Sequence, residues 1–444
     1  MSKTMPRTIP ADGHYCITNA SVPEAVMGRP DSGALARVDI SVENGLVTAV
    51  TPAGSAPTLP NVLDMDGGIV LPAFVDLHTH LDKGHIWPRR SSPDGTWWGA
   101  LLAVNDDRVA NWAADDVERR MDFALRCAWA HGTAAIRTHL DSAPPQHEIS
   151  FDVFEMMRER WAGRIELQAV SLVGPDVMLD LPQLREVARR VQAGGGVLGG
   201  STAVHPENPQ IMRNLIEVAG EYGLDIDLHA DECPDPAATA LQTLAEAVLE
   251  TGFAGKVLAG HCCALAVQDE AHARAVIDNV VAAGVAVVSL PMCNMYLQDR
   301  QNTDGVLRTP RWRGVTLLNE LKAAGGRVAI ASDNTRDPFY AYGDLDGFEV
   351  LREGARILHF DHPQQHAFAW TRAVGADPAA IGGFTYAATI EATAPADLVL
   401  FAARTWTELM SRPQSDRTVL RRGMAIDTTL PDYRELDDLM GAST

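Results

Sequence analysis

The stretch Ile69-Val70-Leu71-Pro72-Ala73-Phe74-Val75-Asp76-Leu77, followed at once by His78-Thr79-His80, decides how the rest of the chain reads. It is a short apolar, β-branched run of the kind that forms a strand buried on both faces. In an extended strand alternate side chains point the same way, so His78 and His80 aim two imidazoles at one spot. Histidines placed so at the end of a buried strand belong where several parallel strands end together.

Seven more such runs come after it: Ala134–His139, Glu166–Leu172, Val197–Gly200, Asp225–His229, Lys256–His261, Val285–Leu290 and Arg327–Ser332. Segments with helical periodicity separate most of them, among them ADDVERRMDFALRCAWAHG (114–132) and LQTLAEAVLETG (241–252). Strand and helix alternating eight times predict an α/β fold, a (β/α)₈ TIM-type barrel. Outside the barrel the texture changes. HYCITNA, ARVDISV and LVTAVTP alternate within residues 14–65, and Glu43-Asn44-Gly45 between the latter two is a hairpin signal because Asn and Gly tolerate positive φ. Similar strands return in ADLVLF (396–401) and TVLRRGMAID (418–427). Neither end has enough strands to bury a face alone. The expected organisation is therefore a β-sandwich built from residues 1–65 and 385–444, with a catalytic barrel over 66–384.

Composition bounds the function. The 444 residues are 46% hydrophobic and 21% charged, a globular balance, and the formal charge of −21 repels phosphate backbones and anionic membranes. Neither nucleic acid nor a membrane is an expected partner. MSKTMPRTIPADGH lacks the apolar core of a secretory signal, and the richest apolar run, Val280 to Met292, is shorter than a membrane span and broken by Gly284. Cys16, Cys127, Cys233, Cys262, Cys263 and Cys293 form no disulfide or metal-binding spacing, which reads as reduced thiols of a cytoplasmic protein.

The chemistry sits at the strand ends. The fifth strand ends in His229, the sixth in His261, and the eighth runs into Asp333. Three imidazoles and a carboxylate from among His78, His80, His229, His261 and Asp333 suit a divalent metal, Zn²⁺ or Fe²⁺, with a position left for water. Glu232 comes three residues after His229; it is either an acid/base for proton transfer or a helix N-terminal carboxylate, and the catalytic role is preferred. Asp231 reads as solvated, as do His85, His131 and His205, while His139 at the end of the second strand stays open.

Together these residues resemble the amidohydrolase superfamily, and within it the bacterial cytosine deaminase group. The motifs are LPAFVDLHTHLDKGH (71–85), IRTHLD (136–141), DIDLHADE (225–232), LAGHCCAL (258–265), NMYLQDR (294–300) and ASDNTRDPFYAYG (331–343). N-isopropylammelide isopropylaminohydrolase is similar in its HTHxDK and ASDNxRD patterns. The resemblance implies a hydrolytic deaminase of a cytosine-like N-heterocycle. It implies metal on His78, His80, His229 and Asp333, Glu232 and His261 as catalytic groups beside Asp333, and oligomers in some members. It also implies one metal, because no lysine stands at the end of the fourth strand in GVLGGS (196–201) to bridge two. Asn334, Gln298, Phe339 and Lys83 are the expected substrate contacts, with Arg300 a further polar group and Trp97 or Tyr342 as stacking rings; Lys83 is otherwise solvated. One departure matters: Val173 and Gly174 stand where the group's pyrimidine-binding glutamine would fall. The same site could instead release an alkylamine from a triazine-type ring or open a cyclic amide. A catalytically dead binding barrel is the non-enzymatic alternative.

Overall fold

A computed structural model describes residues 9–10, 13–55, 61–300, 302–303 and 306–441. Contacts divide the chain into two compact units: residues 1–75, 128–135 and 346–430, and residues 76–127, 136–345 and 431–444.

The first unit holds two four-stranded sheets. One runs in the order Leu46–Pro52, Leu35–Glu43, His14–Pro23, Val62–Asp64; the other runs Met424–Ala425, Thr418–Arg421, Leu398–Leu400, Val70–Pro72. The turn between Leu35–Glu43 and Leu46–Pro52 has Asn44 at φ 52° and Gly45 at φ 81°, the two positive values that the Asn-Gly pair predicts. A single buried cluster takes Tyr15, Ile17, Ile40 and Val42 from the first sheet and Val70, Leu398, Leu400 and Leu420 from the second. The N- and C-terminal strands thus share one core.

The parallel strands are β1 (Phe74–Thr79), β2 (Thr133–Asp141), β3 (Glu166–Leu172), β4 (Leu198–Thr202), β5 (Ile226–Ala230), β6 (Val257–His261), β7 (Ala286–Ser289) and β8 (Val328–Ile330). They form a three-stranded sheet, β1-β2-β3, and a five-stranded sheet, β8-β7-β6-β5-β4. Parallel bridges join β3 to the residue before β4 (Val170 with Val197) and the end of β1 to the residues after β8 (Thr79 with Asp333). Two helices, α1 (Trp97–Asn111) and α2 (Ala114–His131), lie between β1 and β2 in the chain.

One expected strand is two. The run Ile69–Leu77 divides at Pro72-Ala73: Val70–Pro72 pairs antiparallel with Leu398–Leu400, and Phe74–Thr79 enters the parallel array. Proline lacks the N–H that a continuing ladder requires, so the chain changes partners there. The residues around His85 also differ from expectation. His85 is buried rather than solvated, its ring 4.8 Å from Phe123 and 6.2 Å from Tyr433. The C-terminal segment covers it: Leu436 packs on Phe123 and Cys127, and Arg119 and Arg126 on α2 pair with Asp438 and Glu435. No helix among the described residues is long and apolar enough to cross a membrane, and the six cysteines are unpaired.

Candidate active site

Strand alternation delivers the two histidines of β1 to one place. His78 Nε2 lies 3.1 Å from His229 Nε2, and His229 Nε2 lies 3.3 Å from His80 Nε2. Asp333 Oδ1 is 3.7 Å from His78 Nε2 and 3.3 Å from His80 Nε2. Four atoms bonded tetrahedrally to one ion at 2.0–2.1 Å would stand about 3.3 Å apart. The observed separations are of that size, so these four residues could hold a metal. Their electrostatics agree. Burial pushes the pKa of His78, His80 and His229 well below 6.5, leaving neutral imidazoles with a lone pair to offer. Asp333 is fully buried, and apart from the neighbouring Cys293 thiol its carboxylate oxygens meet no hydrogen-bond partner among the described residues. Burial and neighbouring Glu232 drive its pKa well above 3.8, with the Cys293 thiol opposing. Burial thus disfavours the ionised form, which a cation beside it would restore.

The backbone fixes the aspartate tightly. Asp333 N donates to His78 O at 2.9 Å, Thr79 Oγ1 donates to Asp333 O at 2.7 Å, and Asp76 accepts from Ser332. Asp333, His261, Cys262 and Asp231 all have positive φ, between 51° and 68°. Non-glycine residues in that region cost about 1–3 kcal/mol each and cluster where function holds them.

Glu232 sits beside this group. Its Oε1 is 3.4 Å from His261 Nδ1, and its Oε2 accepts from the indole of Trp97 at 2.7 Å. Burial pushes its carboxyl up to about 7, against the Trp97 N–H and the Lys83 charge. His261 is also held at Nδ1 by the Asn294 amide at 2.9 Å. Asn294 opens the NMYLQDR motif and was legible as part of it, though not as the residue that fixes this ring.

Above these groups lies a cavity of about 910 Å³. Lys83, Trp97, Gln298, Arg300, Asn334 and Phe339 line it, so the expected substrate contacts are brought together. Lys83 is not solvated. It is buried, 3.0 Å from Asp141 and 5.5 Å from the Phe339 ring, and Asp141, Asp82 and Asp337 keep it charged although burial works against that. Asn334 is oriented by Asp337, which accepts its amide at 2.7 Å. Tyr342 is 64% exposed and packs with Tyr296 and Tyr340 rather than lining the cavity. Val173 and Gly174 do line it, and a Cβ on Gly174 would meet nothing within 4 Å.

Asp231 and His131, expected to be solvated, are held by the fold instead, whereas His205 keeps part of its surface exposed. Asp231 is buried and accepts from Ala240 N and Leu241 N at 2.8 and 2.9 Å. His205 is half-buried at the cavity wall, and His131 is held by Arg417 at 2.7 Å. His139 lies beneath the cavity, its ring 4.0 Å from His78 and its Nε2 3.8 Å from Asp227. His78, His139 and Asp227 converge as well. Arg137 already neutralises Asp227 at 3.0 Å, however, so the first group is the better cation site.

Parallel strands ending in a buried three-histidine, one-aspartate cluster with an adjacent glutamate define a class of hydrolase. The chain belongs to the amidohydrolase family, which residues 97–429 match, and it is a hydrolase of C–N bonds. It is 55% identical over 436 residues to the pterin deaminase of Rhizobium rhizogenes, covering 98% of both chains. N-isopropylammelide isopropyl amidohydrolase of Pseudomonas sp. is 23% identical, over 77% of this chain and 82% of that one. Among solved structures, 5-methylcytosine deaminase from Klebsiella pneumoniae, liganded with 5-fluorocytosine, superposes with a TM-score of 0.79 at 24% identity. That match covers 94% of this chain and 98% of the other.

Proposed function

We propose that this protein is a metal-dependent deaminase that hydrolyses the exocyclic amine of a pterin-type, two-ring N-heterocycle. Its fold is read as a (β/α)₈ barrel closed by the two bridges, with a β-sandwich made by the N- and C-terminal strands. The observation that carries the substrate is the wall at Val173 and Gly174. A glutamine suited to a single pyrimidine ring is missing there, and open space takes its place. That space favours a second fused ring over cytosine, in keeping with the 55% identity to a pterin deaminase. A cavity of about 910 Å³ lies at the upper end of the usual range for small-molecule sites.

His78, His80, His229 and Asp333 are the proposed ligands of one divalent metal, zinc or iron. What such an ion supplies is Lewis acidity that makes water nucleophilic near pH 7. The residues supply the rest. Hydrolysis forms a carbon–oxygen bond and breaks the carbon–amine bond; of the two water protons, one goes to a ring nitrogen and one leaves with ammonia. Asp333 and Glu232 are the carboxylates placed to carry them. His261, fixed by Asn294, faces both carboxylates and steadies charge that develops on the attacked carbon's oxygen. Asn334 and Gln298 offer amides to the ring edge, and Phe339 and Trp97 offer apolar faces.

Purified protein should contain about one metal per chain and release ammonia from pterin. His78→Ala or Asp333→Ala should lose metal and activity together, and Glu232→Gln should keep metal while losing most turnover. Full activity in a metal-free preparation overturns the scheme; turnover of cytosine with pterin untouched overturns the substrate.

A further inference from the structure

Trp97 stands at the start of α1, outside the strands that carry the proposed metal ligands. Its indole Nε1–H donates to Glu232 Oε2 at 2.7 Å, while Oε1 is left toward His261 Nδ1 at 3.4 Å. An indole only donates. It can neither take a proton from Glu232 nor supply one, so its contribution is direction. A charge-assisted bond of this length fixes the rotation of the carboxylate. That matters because proton transfer requires the carboxylate within about 2.6–3.2 Å of each atom it serves.

The indole is itself held in place. Its ring meets Trp98 edge-on at 5.0 Å and Phe339 at 6.0 Å. The first turn of α1 is capped by Thr96, whose hydroxyl accepts from Gly99 N at 3.0 Å. The cavity wall therefore also holds the indole that bonds Glu232.

We propose that Trp97 is a positioning residue for proton transfer, its indole N–H anchoring Oε2 of Glu232 so that Oε1 is the oxygen presented to the ring nitrogen and the departing amine. This rests on the reading of Glu232 as the proton carrier. It adds that turnover depends on α1 being seated, since the anchor lies on that helix and not on a strand. Each proton that Glu232 accepts and returns passes through Oε1, and the indole bond is kept throughout.

Trp97→Phe retains a ring and removes the N–H. With pterin as substrate and metal content unchanged, kcat should fall about tenfold, and KM should stay within about threefold. In the Glu232→Gln background the same substitution should cost less than about twofold, because the group it serves is gone. A purely structural role would cost the same factor in both backgrounds. A second measurement needs no turnover: the indole N–H proton resonance of Trp97, assigned by its loss in Trp97→Phe, should move upfield in Glu232→Ala. An unchanged kcat in Trp97→Phe, an equal loss in both backgrounds, or an indole resonance indifferent to Glu232→Ala each overturns the proposal. Wild-type protein that is metal-loaded yet inactive on pterin overturns the substrate reading instead, and the resonance then still decides the contact.

Discussion

Gly260 tests how closely the proposed metal site depends on its packing. It precedes His261 on β6, and a Cβ added there would stand 2.8 Å from His78 Cε1 and 3.0 Å from His78 Nδ1. Ordinary contact begins at 3.4 Å, so Gly260→Ala obliges the imidazole to retreat by roughly 0.6 Å. The ring has little room to do so, since His139 and His229 lie at 4.0 and 4.4 Å between ring centres. Metal–ligand distances tolerate about 0.2 Å. The displaced ring should therefore weaken metal binding by about 10–100-fold, or roughly 1.4–2.7 kcal/mol. Overpacking should destabilise the fold by a further 1–3 kcal/mol or so. Chelator competition followed by metal analysis reads the first effect, and a thermal melt the second. Because Glu232, His261 and the cavity walls are untouched, excess metal should restore most activity. A chelator midpoint within twofold of wild type would refute the reasoning, for it would mean that His78 is not held by its packing or is not a ligand.

Asp231→Ala strands the amides of Ala240 and Leu241, now capped at 2.8 and 2.9 Å, and should cost about 2–4 kcal/mol. A thermal midpoint within about 2 °C of wild type would contradict it. Lys83→Met leaves Asp141 with Arg108 alone, at 3.2 Å, and should cost about 2–4 kcal/mol, part of which Asp141→Asn recovers. Asp346 caps the helix Gly347–Leu358 and pairs with Arg417 at 2.7 Å; burial opposes its charge, yet Arg417 and His131 hold its pKa below 3.8. A lowered folded pKa contributes stability above about pH 4 that is lost as pH falls through the folded value. Asp346→Asn should accordingly melt below wild type at pH 7 and converge with it in acid.

Much of this was legible in the sequence for one reason: parallel strands buried on both faces must be written as apolar, β-branched runs. Each of the eight runs overlaps an observed strand. The proposed ligands could be read because a two-residue period puts His78 and His80 on one side, and because strand ends are where such a sheet gathers side chains. What could not be read depends on contacts distant in sequence. Nothing local to Ile69–Leu77 says that its first half pairs with Leu398–Leu400, except Pro72. Nothing local to His85 says that the C-terminal segment buries it. Asp231 and Glu232 are adjacent carboxylates of the same charge; the positive φ of Asp231 turns one under to cap backbone amides and leaves the other facing the cavity.

The same division explains why the reaction was easier to read than the substrate. The floor of the site is made of residues whose positions are set by strand ladders and by main-chain bonds such as Asp333 N to His78 O. Moving any one of them disturbs several others, so the chemistry is written in residue types that cannot be exchanged freely. The walls are made differently. Trp97 comes from a helix start, Val173 and Gly174 from the turn after β3, Gln298 and Arg300 from the segment after a short helix, and Phe339 from the loop after β8. Each can change size or polarity without displacing a strand. On the proposed reading, having no glutamine at Val173-Gly174 alters which ring fits and leaves the proposed metal ligands in place. Trp97 is where the two regimes meet, since it belongs to the wall by position and to the floor through its bond to Glu232. A substitution there should alter catalysis more than ring selection, in contrast to Val173, where a larger or polar side chain should alter ring selection first.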